Sequence, residues 1–293
     1  MTDAATIESV ETPNVRTQFL ILTLFGDYIL PRGGEIRASS LLDLLDLLGV
    51  SERTARSALS RMASRGWLVA RRQGRRSQYS LTSPGRLLLE RSGRRIFEPP
   101  YADWDGLWHM VIYSLPEQQR ALRHVLRTQL LWLGFGPLAP ATWISPRDRL
   151  AEVEVVCDEL GVRDCVDLFS GMHQRGPSDR ALVERCWDLP ALAAEYRQFI
   201  TRYEAEYAEL SNLGAARLSE APEMCFARRF WITHEFQRFP RHDPGLPLAL
   251  LPLGWVGFEA RQLFDSYRQL LDAYAQQFVD GIIRGDALVA AAS

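Results

Sequence analysis

The 293-residue sequence predicts a multidomain α+β protein: an N-terminal winged helix-turn-helix, a central ferredoxin-like α+β domain and a helical C-terminal domain. Three observations carry this. Between Ser39 and Leu81, two helical periodicities separated by Gly49-Val50 are followed by a glycine-centred hairpin pattern. Charge is divided unevenly along the chain. Residues 1–96 hold 15 Arg against 9 Asp or Glu, whereas residues 97–293 carry a net charge of −8. Beyond about residue 178 the apolar spacing is helical, with prolines opening or stopping the segments. The expected divisions are therefore 1–98, 99–178 and 179–293.

The elements follow in order. From Val15 to Ile29, Phe19, Leu20, Leu22, Phe25 and Tyr28 recur at helical spacing, and Pro31-Arg32-Gly33-Gly34 ends the helix. Glu35 to Ala38 reads as a short strand. Ser39 or Ser40 is expected to cap a second helix whose leucines leave Asp43 and Asp46 facing water. Ser51 caps a third. Projected at about 100° per residue, this helix puts Ala55, Ala58, Leu59 and Met62 on one side. Arg53, Ser57, Ser60 and Ser64 fall on the other, flanked by Arg56 and Arg61. Small hydroxyls framed by guanidiniums suit a major groove, where arginine reaches guanine edges or phosphates.

Gly66 stops that helix. Trp67–Arg72 and Arg75–Leu81 then read as strands joined at Gln73-Gly74, with four arginines crowded at the tip. Four like charges on a hairpin repel one another unless a phosphate backbone lies against them. The candidate DNA-binding set is therefore Arg53, Thr54, Arg56, Ser57, Ser60 and Arg61 on the helix, with Arg71, Arg72, Arg75 and Arg76 on the wing. Ser83-Pro84 opens another helix, and Glu98-Pro99-Pro100 marks a boundary.

In the central segment, Leu107–Ser114 reads as a strand, Pro116–Trp132 as a helix and Thr142–Ile144 as a second strand. Arg147–Leu160 fits either a helix or, through Val153, Val155 and Val156, a strand. Cys165–Phe169 alternates like a strand. Pro190 opens a long helix carrying Leu192, Tyr196, Phe199, Ile200, Tyr203 and Tyr207. Another helix is expected from Pro222 to Phe239, stopped by Pro240, and a last one from Gly257 to Phe278.

Several chemistries find no support in the residues. The four cysteines lack CxxC spacing, His234-Glu235 lacks the second histidine of a zincin, and Gly134-Phe135-Gly136 lacks the setting of a dinucleotide fingerprint. No catalytic residue, metal or cofactor is expected. The opening residues lack a signal-peptide pattern and no apolar run approaches about 18 residues, so a soluble, cytoplasmic protein is expected. The tryptophans, among them Trp104, Trp108, Trp143 and Trp187, read as core more readily than as a pocket lining.

Arg16–Leu20, the run Val50–Met62, the Trp67-Leu68 entry, His234–Phe239, Asp243–Pro247 and Leu250–Pro252 together resemble the PaaX family, repressors of phenylacetate catabolism and their relatives. The resemblance implies a winged-helix domain, a Cas2-like ferredoxin domain and a helical C-terminal domain acting as a homodimer on a palindromic operator. It also implies an acyl-CoA effector, phenylacetyl-CoA in the founding members, that releases the DNA. Phosphates of CoA need guanidiniums, which makes Arg229, His234 and Arg238 the candidate effector-binding residues. A Cas2-like domain also raises a metal nuclease as an alternative, but Ser114 stands where the acidic ligand is needed. A regulator of the same architecture with another effector, or none, is the other alternative.

Overall fold

The computed structural model describes residues 13–73, 76–87, 89, 103–176 and 178–285. These fall into two compact units. One is drawn from Met1–Arg94, Tyr203–Phe236 and Leu263–Ser293, the other from Arg95–Arg202 and Gln237–Gln262. The expected boundary at Glu98-Pro99-Pro100 lies outside the described residues.

In the first unit, α1 (Pro13–Leu24) runs into a π-helical turn (Phe25–Ile29) and a 3-10 turn (Leu30–Arg32), ended by Gly33 at φ 96°. Strand β1 (Glu35–Arg37) leads directly into α2 (Ala38–Leu47). Neither Ser39 nor Ser40 caps α2, because the strand brings Arg37 to that position; Ser40 is buried and donates to Ile282 O at 3.1 Å. Gly49, at φ 79°, lets its own N–H reach Asp46 O and that of Val50 reach Leu45 O, a Schellman ending. After α3 (Glu52–Ser64) come β2 (Leu68–Gln73) and β3 (Arg76–Leu81), in an antiparallel sheet of order β1-β3-β2. Residues 83–87 are helical, and the cap falls one residue earlier than expected: Thr82 Oγ1 accepts from Gly85 N.

Helices from late in the chain complete this core. Phe226 and Phe230 on α8 (Pro222–Phe236) and Ala275 and Val279 on α10 (Gly257–Arg284) belong to one buried cluster with Leu24, Tyr28, Leu41, Leu44, Leu59 and Met62. A polar clamp accompanies it. Asp27, in the π-helical turn, accepts from Arg229 at 2.8 Å and from Arg268 at 2.8 and 3.2 Å, and Arg229 also pairs with Asp272 at 2.6 Å. Arg268 donates to Thr233 Oγ1 at 2.7 Å. Burial opposes the Arg229 charge, but Asp27, Tyr28 and Asp272 together outweigh it and hold the guanidinium firmly protonated. Burial, with a smaller push from the Asp27 charge, holds the adjacent Tyr28 hydroxyl well above its usual range despite the nearby guanidiniums. On the same helix, Asp280 and Gln276 hold Arg32 at 2.7 and 2.8 Å.

The second unit is built on β4 (Trp108–Tyr113), α4 (Arg120–Trp132), β5 (Gly136–Ala139), β6 (Thr142–Ser145), α5 (Leu150–Leu160) and β7 (Val166–Met172). The order is β5-β6-β4-β7 with every pairing antiparallel, the βαββαβ arrangement expected of a ferredoxin-like sheet. The ambiguous 147–160 segment is helical from Leu150 to Leu160: Val153 and Cys157, four apart, are buried against the sheet while Glu152, Glu154 and Asp158 face outward. Strand β5 was not expected, because Pro137 interrupts it; it is tolerated at the sheet edge, where no partner needs its missing N–H. Then follow α6 (Asp179–Cys186) and the first part of α7 (Leu189–Glu220), whose helical backbone is interrupted at Gly214. Here Tyr196 stacks on Phe239 and donates to Asp243 Oδ2 at 2.7 Å.

One further expectation is corrected. Helix α8 ends at Phe236, and Pro240 does not stop it but sits in the first turn of a separate short helix, α9 (Phe239–His242), where its missing N–H costs nothing. All four cysteines are free.

Breaking a buried ion pair from one side leaves an uncompensated charge, at a cost of about 3–5 kcal/mol. Asp27→Asn should therefore lower the urea unfolding midpoint strongly, by about 3 kcal/mol in stability. Glu184→Gln, which breaks the fully solvated Arg180 pair, should leave the midpoint unchanged.

Candidate nucleic-acid interface

Helix α3 starts from Ser51, whose hydroxyl accepts from Thr54 N and meets Thr54 Oγ1 at 2.9 Å. Glu52 in its first turn suits the positive helix end. Ala55, Ala58, Leu59 and Met62 are 0–1% exposed, which fixes the rotation of the helix. Arg53, Arg56, Ser57, Ser60 and Ser64 are all exposed as a consequence, with Thr54 half-buried beside them. The expected stripe therefore exists as one face.

Its members differ in freedom. Arg56 is tethered along the helix to Glu52 Oε1 at 2.6 Å, but both side chains are more than half exposed, so the pair yields at small cost. Ser64 is turned back onto Arg61 O. Arg61 is half-buried, and its Nε and Nη2 are buried without a hydrogen-bond partner. Arg65 did not enter the expected set. It reaches Gln18 Oε1 at 2.9 Å and lies over the Trp67 ring, which bolts the end of α3 to α1 and to the start of β2. The proximity of Gln18 to Arg65 is long-range, and no spacing in the sequence announces it.

In the hairpin, the strands register Arg71 with Gln78, Arg72 with Ser77 and Gln73 with Arg76. Successive strand residues point to opposite faces, so the exposed Arg71 and Arg72 place one charge on each face of the ribbon. Gly74 and Arg75 lie outside the described residues, as does the side chain of Arg76. The base of the ribbon is closely packed: a Cβ on Gly85 would lie 2.1 Å from Trp67 O.

The three candidate effector residues are not equivalent. Arg229 is 3% exposed and its charge is already matched by Asp27 and Asp272, so an incoming phosphate has to displace a carboxylate there. His234 is half-buried, stacked on Phe230, with Nδ1 3.0 Å from Thr23 Oγ1. Arg238, in the other unit, is exposed and lies over the Phe239 ring. Ser114 follows β4 and is exposed, its N–H bonded to Cys165 O. Among the described residues no group of three or more His, Cys, Asp or Glu could hold a metal ion, and no helix is long and apolar enough to cross a membrane.

Comparison with known proteins agrees along the length of the chain. Residues 16–85 match the family described as PaaX-like protein, residues 101–183 the PaaX protein central Cas2-like domain, and residues 187–281 the PaaX-like protein C-terminal domain. The transcriptional repressor PaaX of Escherichia coli (strain K12) is 38% identical over 263 residues, which is 89% of this chain and 82% of the relative. A solved structure, an uncharacterized protein from Mycobacterium tuberculosis, shares the fold with a TM-score of 0.57 at 22% identity, covering 91% of this chain and 99% of that one.

The Ser51 cap is the local bond that sets where α3 begins. Ser51→Ala should lower stability by about 1 kcal/mol, and Ser51→Asp should restore it; thermal unfolding followed by circular dichroism measures both.

Proposed function

The chain belongs to the PaaX family, and from that premise we propose that it is a transcriptional repressor that reads operator DNA through a winged helix-turn-helix, with α3 in the major groove and the β2–β3 hairpin on the phosphate backbone. It is a regulator, not an enzyme. One observation carries the groove assignment: the four buried residues of α3 turn Arg53, Arg56, Ser57 and Ser60 outward together within residues 1–96, the basic stretch of a nearly neutral protein. Thr54 and Arg61 flank that stripe, and Arg71, Arg72, Arg75 and Arg76 form the backbone-facing set.

The remaining parts of the reading rest on the resemblance. A homodimer places two α3 helices on the half-sites of a palindromic operator, separated by about one helical turn or a multiple of it. An acyl-CoA thioester acts as effector in the cytoplasm by binding the DNA-free state better than the DNA-bound one. Arg229 is already held by the Asp27 and Asp272 carboxylates, so an effector phosphate competes with them there.

Fluorescence anisotropy with operator and scrambled duplexes, over a range of salt concentrations, tests the docking. Arg53→Ala and Arg56→Ala should each cost about 1–3 kcal/mol on the operator and relax base preference. Arg71→Ala and Arg72→Ala should weaken both duplexes alike and each reduce the salt slope by about 1. Wild-type behaviour in all four variants would show that DNA docks elsewhere.

A further inference from the structure

The four-stranded sheet has two unlike faces. Helices α4 and α5 cover the one carrying Val111, Tyr113 and Trp143. On the opposite face the register aligns Ile144, Met110 and Phe169 in one cross-strand row, with Trp108 beside Met172. Part of this face is closed by α6 and the residue after it. Trp187 stacks on Trp108 at 6.3 Å, and Trp108 Nε1 donates to Asp179 Oδ1 at 2.9 Å. Gly136 makes that closure possible, because a Cβ there would lie 2.6 Å from the Trp187 ring.

What remains between α6 and the strands is a cavity of about 280 Å³. Its apolar wall is Met110, Ile144, Met172 and Leu182; Arg185 and His173 stand at its rim. Arg185 is exposed and has no ion-pair partner among the described residues, while Arg180 and Glu184 of the same helix pair with each other. An apolar wall with an unpaired guanidinium at its edge is complementary to a molecule that is apolar at one end and anionic at the other. Size narrows the class. An apolar cavity of about 150 Å³ accommodates benzene, so this one has room for a single ring or a short chain with a carboxylate. Two methionines in the wall let it adapt to ring or chain.

We propose that this cavity binds a small carboxylic acid with an apolar body, its ring or chain against Met110 and Met172 and its carboxylate at Arg185. None of Arg53, Arg56, Arg229, His234 and Arg238 lines the cavity, and the inference does not depend on the repressor reading.

Isothermal titration calorimetry on the full chain tests it, with phenylacetate, hexanoate, their CoA thioesters, and benzylamine as a cation of similar size. Saturable binding of phenylacetate or hexanoate is expected, with none of benzylamine. Arg185→Gln, a surface change, should weaken the acid at least tenfold, and Met110→Trp, which fills the cavity, should abolish binding. Circular dichroism through thermal unfolding shows that both variants remain folded. Binding of the thioesters alone, binding of neither acid, or acid affinity unchanged in Arg185→Gln overturns the proposal. If the wild type binds the acid but no DNA, the cavity stands and the repressor reading falls.

Discussion

Asp27 is the residue on which the first unit depends. It lies at the end of α1, where the helix loosens into a π turn, and its carboxylate is shared by Arg229 and Arg268 from two helices more than 200 positions away. A lone buried carboxylate is expensive, and so is a buried guanidinium; Asp27 and Arg229 balance each other with the partly buried Arg268 and with Asp272. Such a cluster adds little net stability over well-packed apolar residues. It does fix one arrangement, because any slippage of α8 or α10 against α1 strands a charge. The surrounding contacts follow from it: Phe226 and Phe230 sit on the same helix as Arg229, and Ala275 and Val279 two to three turns beyond Arg268.

This arrangement gives α3 its rigidity. Helix α3 rests on α1 and α2 through Ala55, Ala58, Leu59 and Met62, and those helices rest in turn on α8 and α10. The basic stripe is thus presented by a core that the first hundred residues do not complete by themselves. The family relationship makes the biological sense of this plain. If α3 reads DNA as proposed, it must be held in a defined pose, and the late helices are part of what holds it.

Much of this was legible in the sequence where the signal is local. Periodicity located α3 and its two faces, because 3.6-residue spacing and burial are the same fact viewed twice. The hairpin was visible from its glycine and alternating strands, and the central sheet from its alternating strands. The failures have physical causes too. Strand β5 was hidden by Pro137, which only an edge position permits. Arg37 in place of a serine cap, and Pro240 opening a helix in place of ending one, turn on where the preceding element stops, which propensity does not decide. The role of Arg229 was out of reach, since an arginine that looks free for a phosphate is indistinguishable from one already claimed by a distant aspartate. The tryptophans point the same way: Trp108 and Trp187 are mutual packing partners, and their stacking shapes a cavity in the process.

The central claim, that the late helices complete the reading head, is open to one direct measurement: the cooperative thermal unfolding of residues 1–94 expressed alone, compared with that of the full chain. Lacking Phe226, Phe230, Ala275, Val279 and both clamp arginines, the fragment should show no cooperative transition and no protected core amides. A fragment that melts cooperatively at the temperature of the full chain would contradict the account.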